Sequence, residues 1–305
     1  MKNNSSFLTK NRGILIFFAV MLLMPFLFGI LEGSTPAMIW GNQGSMSKFI
    51  EGLGIEIFIL ALFALSFDLL FGITGLLSFG HAMFFAVAAY LTGIALKTLS
   101  MPFWEVVLLV LLAAIVQALL FCLVLPRVKG ITFTLVSLGL ASVFHIIVMS
   151  SDMINLTGAD VGLQGVPVPA FISPATERLR FYAIALTLLV ATYLFYRRFV
   201  ASPTGRVCVA IRENEGRAKM LGYNTTVFKV VAMIISSLTA SAAGLLHALY
   251  QPIISPAVAD LGYTVTGLLI GLIGGVGTLS CAIVGAFALR LLDFTLRRFI
   301  GESAS

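Results

Sequence analysis

Long apolar runs separated by short polar breaks fill most of the chain. Runs with few charges occupy 13–31, 55–77, 81–98, 103–125, 131–150, 180–197, 227–250, 262–276 and 280–298. A helix that crosses a bilayer needs about 20 consecutive apolar residues, and most of these runs reach or approach that length. The runs are continuous, whereas a transmembrane barrel would read as short segments of period two. The pattern predicts an all-α, polytopic transmembrane helical bundle of about 8–10 spans, broken or half-crossing helices included. It forms a single domain over 1–305. Only the loops at 32–50 and 151–178 and a polar island at 197–229 have appreciable length between runs.

The island interrupts the pattern most sharply. It holds seven of the chain's 19 Lys and Arg residues, offset only by Glu213 and Glu215. A helix starting near Cys208 would pair Glu213 with Arg217 and Glu215 with Lys219 at i,i+4 spacing. Ile211, Ala218 and Leu221 would fall along one side as a small apolar stripe, a face able to dock in a cleft on a partner. Gly222 suits the C-terminal cap.

Composition agrees with the pattern. Hydrophobic residues make up 59% of the 305 positions and charged residues 10%, against about 25% charged in soluble domains. The net charge of +6 matters less than its location, because cytoplasmic loops collect Lys and Arg. Nucleic-acid binding would need basic residues interleaved with soluble structure and aromatic platforms, so no nucleic acid is expected. Lys2, Lys10 and Arg12 precede the first run without an A-x-A cleavage site, which favours a retained span with a cytoplasmic N-terminus over a signal peptide. Arg127 and Lys129, and then Arg197 and Arg198, fall on the cytoplasmic side of that path, whereas 151–178 and Gln251–Asp260 fall outside. Arg297 and Arg298 would end outside if both 262–276 and 280–298 crossed fully. A half-crossing or broken helix there would return the tail to the cytoplasm, and that arrangement is the expected one.

Two glycine-rich breaks, Gly72–Gly80 and Gly274–Gly277, occur in different halves of the chain. Paired broken segments of this kind point to a transporter whose unwound backbone lines a pathway. The alternative is close helix packing of the small-xxx-small type, and both readings stay open. Glu56, Asp68, His81, His145, His247 and Asp293 lie in or near apolar runs. Ionisable groups at a helix centre cost about 2.5–3.5 kcal/mol on insertion scales and so face the protein interior. Asp68 and His81 flank the first break and are the first candidates; isolated His145 and His247 are better read as hydrogen-bonded core residues. The candidate pathway set is Asp68, Thr74, Gly75, Ser78, Gly80, His81, Gly274, Gly275 and Gly277.

Catalytic signatures are absent from the sequence. It contains no phosphate-binding glycine loop, dinucleotide fingerprint or nucleophile elbow, and no HExxH or CxxC pair, so neither a metal nor any other cofactor is expected. Cys122, Cys208 and Cys281 are far apart and read as small buried hydrophobes. Energy for uphill transport would come from an ion gradient or from another subunit.

Four ordered blocks carry a family resemblance. Glu215-x-x-Ala218-x-x-x-Gly222 resembles the EAA-type coupling motif of bacterial ABC importer permeases, and the stretch from Ala210 to Tyr223 resembles its branched-chain amino-acid version. Gly75-Leu76-Leu77-Ser78-Phe79-Gly80-His81-Ala82, Leu156-Thr157-Gly158 with Gly162-Leu163, and Gly274-Gly275-Val276-Gly277-Thr278-Leu279 are similar to further blocks of that permease family. The likeness runs from about residue 50 to 290. Ala159 stands where a second glycine is common, and Ser280-Cys281 where Trp-Gly is frequent.

The resemblance implies a multi-pass permease of the bacterial inner membrane that pairs with a second, homologous permease. Two cytosolic ATPase subunits and a periplasmic substrate-binding protein would complete the importer, so the chain itself is not an enzyme. It further implies that Arg212, Glu213, Asn214, Glu215, Ala218, Leu221 and Gly222 form the ATPase-coupling element, over 206–222. Branched-chain or related amino acids are the implied substrates, with urea or short amides as variants. An ion-coupled secondary transporter or channel for a small polar solute is the alternative, and it would have no need of a coupling helix.

Overall fold

The computed structural model describes residues 12–33, 45–124, 128 and 130–303. Every predicted apolar run coincides with a helix. These are α1 (Arg12–Leu31), α2 (Ser45–Asp68), α3 (Ala82–Lys97), α4 (Phe103–Val124), α5 (Ile131–Met149) and α6 (Arg178–Ala201). After the island helix α7 (Pro203–Met220) come α8 (Thr225–Tyr250), α9 (Leu261–Gly274) and α10 (Leu279–Ser303). Segments Met46–Ile73, Phe103–Leu123, Ile131–Met149, Arg178–Ala201 and Thr225–Tyr250 are long and apolar enough to cross a membrane. A helix satisfies all its backbone groups internally, the condition for entering hydrocarbon. Arg127 and Lys129 and the N-terminal Lys2 and Lys10 lie outside the described residues, as do the side chains of Cys281, Arg297 and Arg298.

Helices α2 and α8 form the centre. The α2 segment is the most enclosed of the candidate spans, at 83% buried, and it packs against α1, α6, α8, α9 and α10. Residues on the buried face of α8 are small: Ser236, Ser237, Ala240, Ser241 and Gly244. Small residues let helix backbones approach closely, and hydroxyls add interhelical bonds, each worth about 0.6–2 kcal/mol in membranes. Ser236 donates to the Ser66 carbonyl at 2.6 Å, Ser237 to that of Ala114 at 2.7 Å, and Ser241 to that of Phe84 at 3.1 Å. One helix is thereby bonded to α2, α4 and α3.

The two ends of the bundle differ. At one end lie α7 and the two glycine breaks. At the other, Leu163–Gln164 pairs antiparallel with Ile253–Ile254, and Tyr90 donates to the Ile254 carbonyl at 3.1 Å. Helix α9 runs from this second end to Gly275 at the α7 end, and α10 runs back until Phe294 meets Phe49 near the start of α2, ring centroids 5.4 Å apart. The tail therefore stands at the end opposite α7, and the expected half-crossing that would return it is corrected.

The 151–178 segment builds the second end. Thr157 donates to Val148 O at 2.7 Å, and Gly158 and Gly162 turn with φ of +78° and +80°. Ala159 follows with φ of +46°, a left-handed conformation that costs a residue with a Cβ roughly 1–2 kcal/mol. This explains why glycine suits the position. Ala159→Gly is expected to raise stability by about 1 kcal/mol, measured as a higher thermal unfolding midpoint of the detergent-solubilised protein.

Candidate functional site

The two glycine breaks, separated by about two hundred residues in sequence, meet in space. Helix α2 ends in a π-turn over Leu69–Ile73, a wide turn that frees backbone groups and recurs at functional sites. The Asp68 carboxylate Oδ1 accepts from the Gly277 amide at 2.7 Å, which fastens the second break to the first. A Cβ on Gly72 would come 2.0 Å from Asp68 Oδ1 and 2.5 Å from the Gly277 nitrogen. Gly277 itself has φ of +83°, and a Cβ there would fall 2.6 Å from Arg212 Nη1. Neither glycine can carry a side chain while this junction is closed.

The third strand of the junction comes from the island. Arg212 Nη1 donates to the Gly72 carbonyl, and the Arg212 stem lies against Gly75. An arginine of α7 thus reaches both breaks at once. Asp68, Gly75 and Gly277 of the candidate pathway set are brought together here with Arg212 of the coupling set. Gly275, at φ of +107°, caps α9 just before the contact, and Gly274 is the last residue of α9. Thr74 closes the π-turn by donating to Leu69 O at 3.0 Å.

The rest of the first break lies apart from the junction. Gly80 packs against α5, where its amide and that of Phe79 meet the Ser137 hydroxyl at 3.4 and 3.1 Å. Ser78 is buried nearby. His81 is fully buried among Phe63, Phe67 and Phe84, with Nε2 2.8 Å from the Ser66 hydroxyl. Ser66 already donates to the Phe63 carbonyl, so His81 Nε2 carries the proton and donates. His81 is held as a core residue rather than placed on an open pathway.

Within the island the structure corrects the helix. Helix α7 begins at Pro203, capped by the Ser202 hydroxyl, five residues before the expected start. It breaks at Asn214, whose φ and ψ are −160° and 99°. Asn214 Oδ1 accepts from the Arg217 amide at 2.9 Å, so this residue caps a second short helical piece. The break displaces Glu213 from its expected partner Arg217, and Glu213 lies 3.9 Å from Arg212. At the far end the Gly222 amide reaches Lys219 O and the Tyr223 amide reaches Ala218 O, at 3.0 and 3.2 Å. With Gly222 at φ of +87°, this is a Schellman cap, as the sequence indicates.

The apolar stripe is also corrected. Ile211 and Ala218 are 4% and 3% exposed and pack within this chain. The exposed apolar surface is instead the tip, with Met220 at 90% and Leu221 at 71%. The kink explains the difference, since a continuous helical wheel does not pass through Asn214.

Glu215 anchors the second piece. It lies 3.0 Å from Lys219 and 2.8 Å from Lys229, and accepts from the Thr225 hydroxyl at 3.0 Å. The carboxylate therefore ties α7 to the first turns of α8. Partial burial acts to raise its pKa, but the bonds from Lys229, Lys219 and Thr225 prevail and hold it at about 2.

Sequence reasoning missed a second polar centre. Arg290 of α10 donates through Nη2 to Glu56 of α2 and through Nη1 to Asp293 at 2.8 Å. Glu56 and Asp293 stood out as intramembrane acids, but Arg290 sits inside an apolar run and drew no attention. Its signal was a lone cation at mid-helix, which needs a partner carboxylate.

A depressed carboxylate stabilises the fold above its unfolded pKa, and that contribution disappears as pH falls through the folded value. The thermal midpoint difference between the native chain and Glu215→Gln is therefore expected to be full at neutral pH. It should shrink between about pH 4.5 and pH 2, as followed by thermal unfolding across a pH series.

Comparison with known proteins agrees with this architecture. The model of the family described as "Branched-chain amino acid transport system / permease component" matches residues 49–305. The high-affinity branched-chain amino acid transport system permease protein LivM of Salmonella typhimurium is 25% identical over 84% of this chain and 62% of its own length. The probable LivM of Methanocaldococcus jannaschii is 26% identical, covering 70% of this chain and 71% of that protein. The permease LivH of Escherichia coli is 22% identical over 76% and 80%. The chain thus spans somewhat under two thirds of the length of the Salmonella relative. No solved structure matches it. A bundle of membrane-length helices, glycine breaks joined to a polar inter-helix element, and a family match over residues 49–305 lead to one conclusion: this chain belongs to the permease-component family of branched-chain amino acid transport systems.

Proposed function

We propose that this chain is the membrane permease of an ATP-binding-cassette importer for branched-chain or related amino acids, seated in a bacterial inner membrane with its N-terminus in the cytoplasm. It pairs there with a second, homologous permease; relatives named LivM and LivH both resemble it. Two cytosolic ATPases bind ATP and dock on the 206–222 element, and a periplasmic protein delivers substrate.

The observation that carries this reading is the Arg212 contact. A helix between two spans sends one side chain into the junction where both glycine breaks meet. An ion-driven carrier needs no such lever. In an ATP-driven machine, closure of the ATPases pushes on the exposed Met220–Leu221 tip, and Arg212 carries the displacement to Gly72 and Gly277. Glu215 keeps the lever attached to α8, so a push on α7 moves a spanning helix as well. Binding free energy at the ATPase can shift access only to the extent that the two states differ in such contacts.

Two substitutions test the mechanism in the assembled transporter. Glu215→Arg places a cation against Lys219 and Lys229, and ATP-dependent uptake is expected to vanish while expression persists. Arg212→Ala leaves the ATPases docked but removes a charged hydrogen bond worth about 1.5–3 kcal/mol. ATP hydrolysis should continue while uptake drops about tenfold or more, read as hydrolysis per transported molecule in proteoliposomes. Uptake that survives Glu215→Arg and follows a proton or sodium gradient would overturn the proposal.

A further inference from the structure

We propose that the groove between α1, α6 and α10, at the end of the bundle that carries α7, binds one phospholipid with an anionic head. An acyl chain lies in the groove and the phosphate meets Arg197. From the permease reading above the proposal takes only the orientation, which puts this end at the cytoplasmic leaflet.

Shape is the first argument. The groove has a volume of about 540 Å³, within the roughly 300–1,000 Å³ usual for small-molecule sites. It begins at Gly13 of α1 and Ser280 of α10, each the second residue of its helix, and reaches Met21 and Phe287. At 1.5 Å per residue those limits lie about 10–12 Å apart along the helix axes. The groove opens sideways, where Val284 on its wall is 61% exposed, and the medium on that side of a spanning helix is hydrocarbon. An unfilled apolar groove forfeits the dispersion contacts of its lining, and a lipid chain running along the helices restores them.

Charge is the second argument. The lining is apolar apart from Tyr193, Arg197 and Ser280, and it includes no carboxylate. Its formal charge is therefore positive. Tyr193 and Arg197 stand at i and i+4, on one face of α6. Arg197 comes four residues before the helix ends at Ala201, about 6 Å along the axis. That is the level at which Tyr rings and Arg side chains meet the headgroups. Arg197 already interacts within the chain, and the several N–H donors of a guanidinium allow it a second acceptor. The cytoplasmic leaflet holds the anionic lipids, and basic pockets between helices on that side collect their heads. A neutral aliphatic molecule would fill the groove and leave the cation at its mouth unanswered.

The competing occupant is protein, in the form of the second permease laid over this face. The experiment uses the assembled transporter in phosphatidylcholine nanodiscs. These are doped with phosphatidylglycerol or phosphatidylcholine carrying a photoreactive diazirine on one acyl chain, and labelled residues are mapped by mass spectrometry. Phosphatidylglycerol is expected to label Met21 and Phe287 about fivefold more than phosphatidylcholine at equal dose. Arg197→Gln should remove that preference, and Arg197→Lys should keep it. Because Arg197→Gln can disturb packing, Ser280→Trp is the second arm. Ser280 is exposed, so the indole should block the mouth of the groove and suppress labelling while the thermal midpoint holds. Equal labelling by the two lipids would overturn the site, as would labelling that survives Ser280→Trp. If neither lipid labels Met21 or Phe287, protein covers the groove and the site is wrong. Selective labelling without ATP-driven uptake would sink the permease reading and leave the lipid site standing; uptake without labelling does the reverse.

Discussion

A carbonyl released by the π-turn at Gly72, a guanidinium from α7 and an amide from the turn after α9 converge at one point. Each is a polar group that hydrocarbon cannot satisfy, and an unpaired backbone group buried there costs several kcal/mol. Their meeting removes that cost from three segments together. It also dictates where the ends of α2, α7, α9 and α10 must lie, because Asp68 Oδ1 and Arg212 reach only so far. The two glycines are the steric condition for this closure, since a methyl group at Gly72 would overlap the carboxylate that holds Gly277.

Outside that junction the bundle relies on a different device. Helix α8 packs with small residues and serine hydroxyls against α2, α3 and α4, which gives close contact where lipid provides no hydrophobic drive between helices. The α8 serine bonds lie near the middle of the helix, at Ser236, Ser237 and Ser241, whereas the junction lies at one end of the bundle. The Glu56–Arg290–Asp293 cluster ties α10 to α2 through a second set of polar bonds.

Sequence and structure agree on the elements and part company on their use. The apolar runs mark the helices closely, except at the start of α2, which begins ten residues before its run. There Lys48, Gly52 and Glu56 recur every four residues along one side. Because that side faces a cavity, polar residues belong there, and a hydropathy window discounts them. The island helix was legible in its Gly222 cap and its Glu215–Lys219 pair. Its kink was not, because Asn214 is tolerable in a helix and acts as a cap only once the Arg217 amide turns toward it. His81 looked like a pathway residue by its place beside a break, but three aromatic rings enclose it.

The sequence by itself determined that this is a membrane bundle, where its helices lie, which segment is polar and exposed, and that two breaks would matter. Those properties are local: apolar length, loop charge, and glycines that relax the backbone. Only the tertiary structure decided that the two breaks touch, that Arg212 joins them, that Ile211 and Ala218 turn inward, and that Arg290 sits between Glu56 and Asp293. Each of these depends on contacts between residues 140 to 234 positions apart or on the direction a side chain takes. No periodicity encodes such distances; they follow from how helices with fixed polar groups can pack so that most of those groups find a partner.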